Sequence, residues 1–140
     1  MTTIGFTGTR EGLTEAQYLT LRSEITRRSL SPAAIFRHGD CIGADSDAHD
    51  VVRTCSHARI IGHPPTKSTL RAWRKCDHLM PERPYLDRNR DIVNMSDELI
   101  ACPDGPERQR SGTWSTVRYA LKGHRQVTII MPDGTLTFPS

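Results

Sequence analysis

Three short stretches of the chain combine glycine with small hydroxyl or charged residues: Gly8-Thr9-Arg10, His38-Gly39-Asp40-Cys41-Ile42-Gly43-Ala44-Asp45, and Arg110-Ser111-Gly112-Thr113. Each follows a short apolar run or its loop and leads towards a segment of helical period. Glycine lets backbone N–H groups come close to an anion, and a helix N-terminus adds a favourable field, so each stretch has the make-up of a phosphate cradle. One such loop is a weak signal, because many strand-to-helix turns need glycine only to turn. Three in a chain of 140 residues point to an anionic ligand. Arg10 follows the first glycine turn, and Arg88 and Arg90 open a later helical segment, where a guanidinium can clamp phosphate through two parallel hydrogen bonds.

The second stretch also invites a metal reading. His38, Asp40, Cys41, Asp45 and His49 are close in sequence, and Asp45 and His49 stand four residues apart, as paired ligands on one helix face do. Against this, there is no His-Glu-x-x-His and no Cys-x-x-Cys, and Asp45 falls in a first helical turn, where a carboxylate is favoured anyway. No metal and no resident cofactor are expected. Asp45 is instead a candidate to hydrogen-bond a sugar hydroxyl or to act as a general base. Trp114, next to Gly112-Thr113, is a candidate for stacking on a ligand base.

The elements that must position these residues alternate. Apolar runs at Thr3 to Thr7, Ala33 to Arg37, Arg59 to Gly62, Glu98 to Cys102 and Gln126 to Met131 are short and continuous, which suits strands buried on both faces. Between them, residues 14–29 carry Tyr18, Leu21 and Ile25 behind a Thr14 cap, and residues 44–55, 85–95 and 113–122 also have helical period. Alternation predicts parallel βαβ units in a single domain over residues 1–140, an α/β/α sandwich of Rossmann-like type with about five strands. In such sheets ligands bind beyond the carboxyl ends of the strands, where all three glycine stretches fall. The tail Asp133-Gly134 predicts a final hairpin. Residues 63–84, with four prolines, form a long connection expected to hold a short helix at 68–76 and to serve as a lid or an oligomer contact.

Composition narrows the function classes. Charged residues make up 25% and apolar residues 36%, as in soluble globular domains, and the net charge of +3 is mild for a dedicated nucleic-acid binder. The N-terminus lacks the pattern of a secretory signal, no apolar run approaches a membrane span, and the four cysteines are scattered, so a cytosolic protein with reduced thiols is expected.

Together the motifs Gly5-Phe6-Thr7-Gly8-Thr9-Arg10, His38 to Asp45, Arg88-Asn89-Arg90, Ser96-Asp97-Glu98-Leu99-Ile100-Ala101 and Ser111-Gly112-Thr113 resemble those of the SLOG superfamily, most closely its small YspA-like branch. The superfamily includes the LOG phosphoribohydrolases and the DprA-type DNA-processing proteins. The resemblance implies a nucleotide or nucleotide-derived ligand across these loops, such as a nucleoside monophosphate, NAD or an ADP-ribose derivative, and a homodimer or higher homo-oligomer. LOG enzymes hydrolyse the N-glycosidic bond with an Arg-Lys pair eight residues before Ser-Asp and a Gly-Gly-x-Gly-Thr-x-x-Glu run. Here Arg88 matches the arginine, Asn89 replaces the lysine, Gly112-Thr113 matches the Gly-Thr and Thr116 stands in place of the glutamate. The resemblance makes Arg88 and Asn89 ligand contacts and Arg88 a candidate catalytic residue; with the family's glutamate absent, Asp45 is the candidate acid beside it. Asp40 and Glu107 are the other acids within reach of that role. The DprA-like alternative, single-stranded DNA binding, would draw on Arg27, Arg28, Arg71, Arg74 and Lys75.

Overall fold

A computed structural model describes residues 2–140. The strands are β1 (Thr3–Gly8), β2 (Ile35–His38), β3 (Arg59–Gly62), β4 (His78–Leu79), β5 (Glu98–Cys102), β6 (Gln126–Ile130) and β7 (Leu136–Thr137). The helices are α1 (Glu15–Arg28), α2 (Ala44–Cys55), α3 (Tyr85–Asn94) and α4 (Gly112–Lys122). All strands form one sheet in the order β4-β3-β2-β1-β5-β6-β7. Every pairing is parallel except β6 with β7.

Strand side chains alternate between the two faces, and each face has its own apolar cluster. Ile4, Phe6, Phe36, Ile60 and Ile100 pack with Leu21 and Ile25 of α1 and Ala48, Val51 and Val52 of α2. Leu99, Ala101, Val127 and Ile129 pack on the other side with Val93 of α3 and Trp114, Val117 and Ala120 of α4. The chain is therefore the α/β/α sandwich predicted, with seven strands in place of about five. The two additions are two-residue edge strands. β7 is the expected hairpin, turned at Gly134 with φ 86°.

Two details differ from the pattern read in the sequence. On α1, Leu21 and Ile25 are buried but Tyr18 is 38% exposed, and Gln17 takes the inward position. Gln17 closes a capping box with Thr14, and its Nε2 donates to Pro103 O at 2.8 Å and to Ile130 O at 2.9 Å. A buried amide that satisfies two carbonyls holds the helix on the sheet as an apolar ring would.

Residues 63–84 also depart from expectation. The predicted helix at 68–76 is only a 3-10 turn, Ser68–Leu70, followed by β4, which extends the sheet beyond β3. The middle of this segment is a strap tied to buried Asp40. Asp40, fully buried, accepts from Arg71 Nε and from the Arg74 N–H, both at 2.9 Å, while its carbonyl accepts from the Ala72 N–H at 2.7 Å.

Candidate functional site

The chain builds β1 to β4 outward on one side of β1 and then returns to place β5 on the other side. Connections after β1 and β5 thus diverge to opposite faces and leave a crevice at their carboxyl ends. A cavity of about 320 Å³ occupies that crevice, and the end of β1, the turn after β2 and the first turns of α3 and α4 line it.

The floor is backbone. A Cβ at Gly8 would run into Ala44, so the end of β1 can lie against the start of α2 only without a side chain. The Thr9 N–H donates to Cys102 O at 3.1 Å and the Ala44 N–H to Thr9 O at 2.9 Å, which clips both loops in place. Gly43 sits at φ 98° against the backbone of Arg10.

Arg88 is the buried cation of the site, 5% exposed. Its Nη1 donates to the carbonyls of Gly39 and, at 3.0 Å, His63, and its Nη2 lies 3.4 Å from Cys41 Sγ. Its Nε has no hydrogen-bond partner among the described residues. Asp45 converges on the same point: its Oδ2 and the Arg88 guanidinium both lie over Gly39, where any Cβ would collide with them. The Asp45 carboxylate accepts from the Cys41 N–H at 3.2 Å. Burial raises its pKa to about 6, against the lowering pull of Arg88 and of the Cys41 hydrogen bond. A carboxyl poised there can hold or release a proton near neutral pH.

The rim carries Arg10, 5.7 Å from the centre of the Tyr85 ring, together with Asn89, Arg110 and the Arg108–Asp104 ion pair. At the start of α4, Ser111 caps the helix by accepting from the Trp114 N–H at 3.3 Å, and Gly112 and Thr113 follow along the wall.

Of the residues singled out in the sequence, Gly8, Thr9, Arg10, Gly39, Asp45, Arg88, Asn89, Ser111, Gly112 and Thr113 meet at this cavity. His38, Asp40, Gly43, Ala44 and Trp114 do not line it. Gly43 and Ala44 shape the loop behind the floor, and Asp40 holds the strap. Trp114 is 7% exposed within the α4 cluster and donates from Nε1 to Gly105 O at 3.2 Å, so its ring is not offered for stacking. Tyr85, 40% exposed on the cavity wall, has that position instead. Its signal in the sequence is its place three residues before Arg88, on the same helix face. Arg90, also expected here, turns away over the Tyr119 ring.

The five-residue metal set is not assembled either. His38 and His49 do meet, with Cys76 of the strap as a third neighbour, their donor atoms all within 4.8 Å. The Asp40 N–H donates to His38 Nδ1 at 2.9 Å, which fixes the neutral ring's proton on Nε2. That Nε2–H donates to His49 Nδ1 at 3.0 Å, so the atom a metal would need already carries a proton. Burial, with the charges of His49 and His63, depresses the His38 pKa to about 3 and keeps the ring neutral.

No protein-family model matches the chain, and neither does any curated protein sequence. Solved structures do match. A molybdenum cofactor binding protein from the phototrophic bacterium Rippkaea orientalis is 25% identical, aligned over 93% of this chain and 76% of that one with a TM-score of 0.71. DNA processing protein A from Helicobacter pylori, described with a single-stranded DNA binding mode, is 18% identical over 91% of this chain and 64% of that one, with a TM-score of 0.60. The chain has the SLOG-type Rossmann-like fold. The Moco carrier protein of Chlamydomonas reinhardtii has it too, at 22% identity over 91% of this chain and 75% of that one, TM-score 0.66. Within this SLOG-type frame, Thr116 lies outside the cavity at 4% exposure and donates from Oγ1 to Gly112 O at 2.8 Å. Among the described residues, no helix is long and apolar enough to cross a membrane.

Proposed function

We propose that the chain binds a phosphorylated, nucleotide-like small molecule in the cavity between β1 and β5. The observation that carries this reading is the unpaired Nε of buried Arg88 beside a floor of backbone groups. A buried guanidinium N–H without a partner is costly, and a phosphate or carboxylate oxygen is its natural acceptor. Phosphate on the Gly8-Thr9 turn and the start of α4, a sugar hydroxyl on Asp45 and a ring on Tyr85 use each remaining feature once. The solved structures named for a molybdenum cofactor and for single-stranded DNA lend support to a ligand-binding role.

The role is binding rather than N-glycosidic hydrolysis. Thr116 hydrogen-bonds the helix backbone and brings no carboxylate to the ligand. DNA binding is the weaker reading, because four of its five candidate cations are engaged: Arg27 and Arg28 with Glu24, Arg71 with Asp40, and Arg74 with Asp50, leaving Lys75. Calorimetric titration with nucleoside monophosphates, NAD and ADP-ribose should show binding to at least one of them, lost in Arg88→Ala. Chromatography of the same mixtures should find no free base. Base release that disappears in Asp45→Asn would make the protein the hydrolase instead, and no heat with any ligand would overturn the reading.

A further inference from the structure

Asp45 and Arg88 meet at the floor of the β1/β5 cavity, yet no hydrogen bond or ion pair joins them. A Cβ at Gly39 would lie 2.6 Å from Arg88 Cζ and 2.8 Å from Asp45 Oδ2. The two charges therefore stand within about 6 Å, the range over which one ionised group governs the protonation of another. Both side chains are buried, so water screens them little. Facing the pair from the loop after β2 are Cys41, whose thiol burial pushes up, and Asp40, engaged by Arg71 and the Arg74 N–H. On β5, burial likewise keeps the Cys102 thiol protonated. His63, whose backbone carbonyl accepts from Arg88, has a ring pKa depressed to about 3, chiefly by burial, and stays neutral. The rim adds Arg10, Glu11, Arg110 and the Arg108–Asp104 pair. Asp45 is thus the group on this floor that changes charge close to neutral pH, at about 6.

An oxyanion that accepts from the free Arg88 Nε stands beside the Asp45 carboxyl. With Asp45 ionised, two negative charges would share one buried guanidinium, and like charges this close disfavour each other's ionised form. A protonated Asp45 removes that repulsion and adds an O–H donor. We propose, resting on the nucleotide-binding reading above, that Asp45 makes the cavity take its phosphate together with one proton from solvent. In the bound state Asp45 is the neutral acid and donates its O–H to a ligand oxygen, while the phosphate stays ionised on Arg88. A ligand that brings a neutral group to this point gains nothing from the proton. Asp45 therefore selects oxyanions, and it ties their retention to pH: the grip tightens in acid and loosens as pH rises.

Calorimetric titration in two buffers of different ionisation enthalpy counts the protons taken up on binding. ADP-ribose and NAD are the first probes, because their diphosphates stay ionised from about pH 6 to pH 8 and any uptake belongs to the protein. The wild-type chain should take up a measurable fraction of one proton per ligand, and affinity should fall over that interval by up to about tenfold per pH unit. Asp45→Asn should abolish both the uptake and the slope, whereas Asp45→Glu, which keeps a carboxyl, should retain them; melting curves check that each variant folds. With AMP, whose own phosphate titrates near pH 6, the difference in uptake between wild type and Asp45→Asn carries the same test. Should Asp45→Asn not fold, the proton count on the wild-type chain with the diphosphates decides. Equal heats in the two buffers, or a pH slope unchanged in Asp45→Asn, would overturn the proton coupling and leave the nucleotide reading standing. No binding of any of the three ligands at any pH would overturn both.

Discussion

At the scale of single residues the site depends on what is missing as much as on what is present. Gly39 has no side chain, and that gap holds the Arg88 guanidinium and the Asp45 carboxylate against the backbone. Gly39→Ala should displace Arg88, with a stability loss of about 1–3 kcal/mol from overpacking, read by denaturant unfolding. Nucleotide binding should fall with it. Wild-type affinity in that variant would mean that Arg88 is not positioned through Gly39. Which residues would meet was largely legible in the sequence, because glycine before a helix announces a close backbone approach. What each side chain faces was not. His38 and Asp40 belong to the same motif as Gly39 and Asp45, yet alternation along β2 and a positive φ at Asp40 send them to the α2 side and the strap. Neither fact is written in residue type.

At the scale of elements, the middle of the strap of residues 63–84 is anchored by the buried Asp40 carboxylate. Removing the Asp40 carboxylate leaves Arg71, whose side chain is 9% exposed, without its buried partner and the Arg74 N–H without its acceptor, while the Ala72 bond to the Asp40 carbonyl remains. Asp40→Ala should cost about 3–5 kcal/mol, the usual penalty for breaking a buried pair. Limited proteolysis should cut within 66–83 much faster than in the wild type, and unchanged cleavage would show that the strap is held elsewhere. The strap was the least legible part of the fold. Proline-rich connections carry little periodicity, and a two-residue strand such as β4 has too few side chains to show alternation. The central strands were legible because burial on both faces writes a continuous apolar run. Gln17 takes the inward place expected of Tyr18 on α1, since two carbonyls from different loops could be foreseen only from tertiary structure.

At the scale of the whole molecule, buried histidines set the response to acid. His38 and His63 both have pKa values depressed to about 3, chiefly by burial, while an unfolded histidine titrates near 6.5. The unfolded chain therefore takes up more protons between these values, and the stability these neutral rings contribute is full above pH 6.5 and falls as pH drops towards 3. Asp45, raised to about 6, works the other way: its burial penalty applies above pH 6 and is relieved towards pH 4. These two histidines, with buried His49 shifted the same way by desolvation, against one aspartate predict a melting temperature that declines from pH 7 to pH 4, and less steeply in His63→Gln. A flat profile would show that these rings are already protonated in the native state. The backbone floor has a consequence of another kind. Main-chain N–H groups are the same whatever the sequence, so the proposed anion at the start of α4 would be recognised by the shape of the chain trace rather than by residue type, and solved structures at 25% identity and below share the overall fold. Discrimination among ligands then rests on a handful of side chains, Arg88, Asp45 and Tyr85 foremost. Such a site would change allegiance during evolution by a few substitutions while the proposed phosphate contact stays intact.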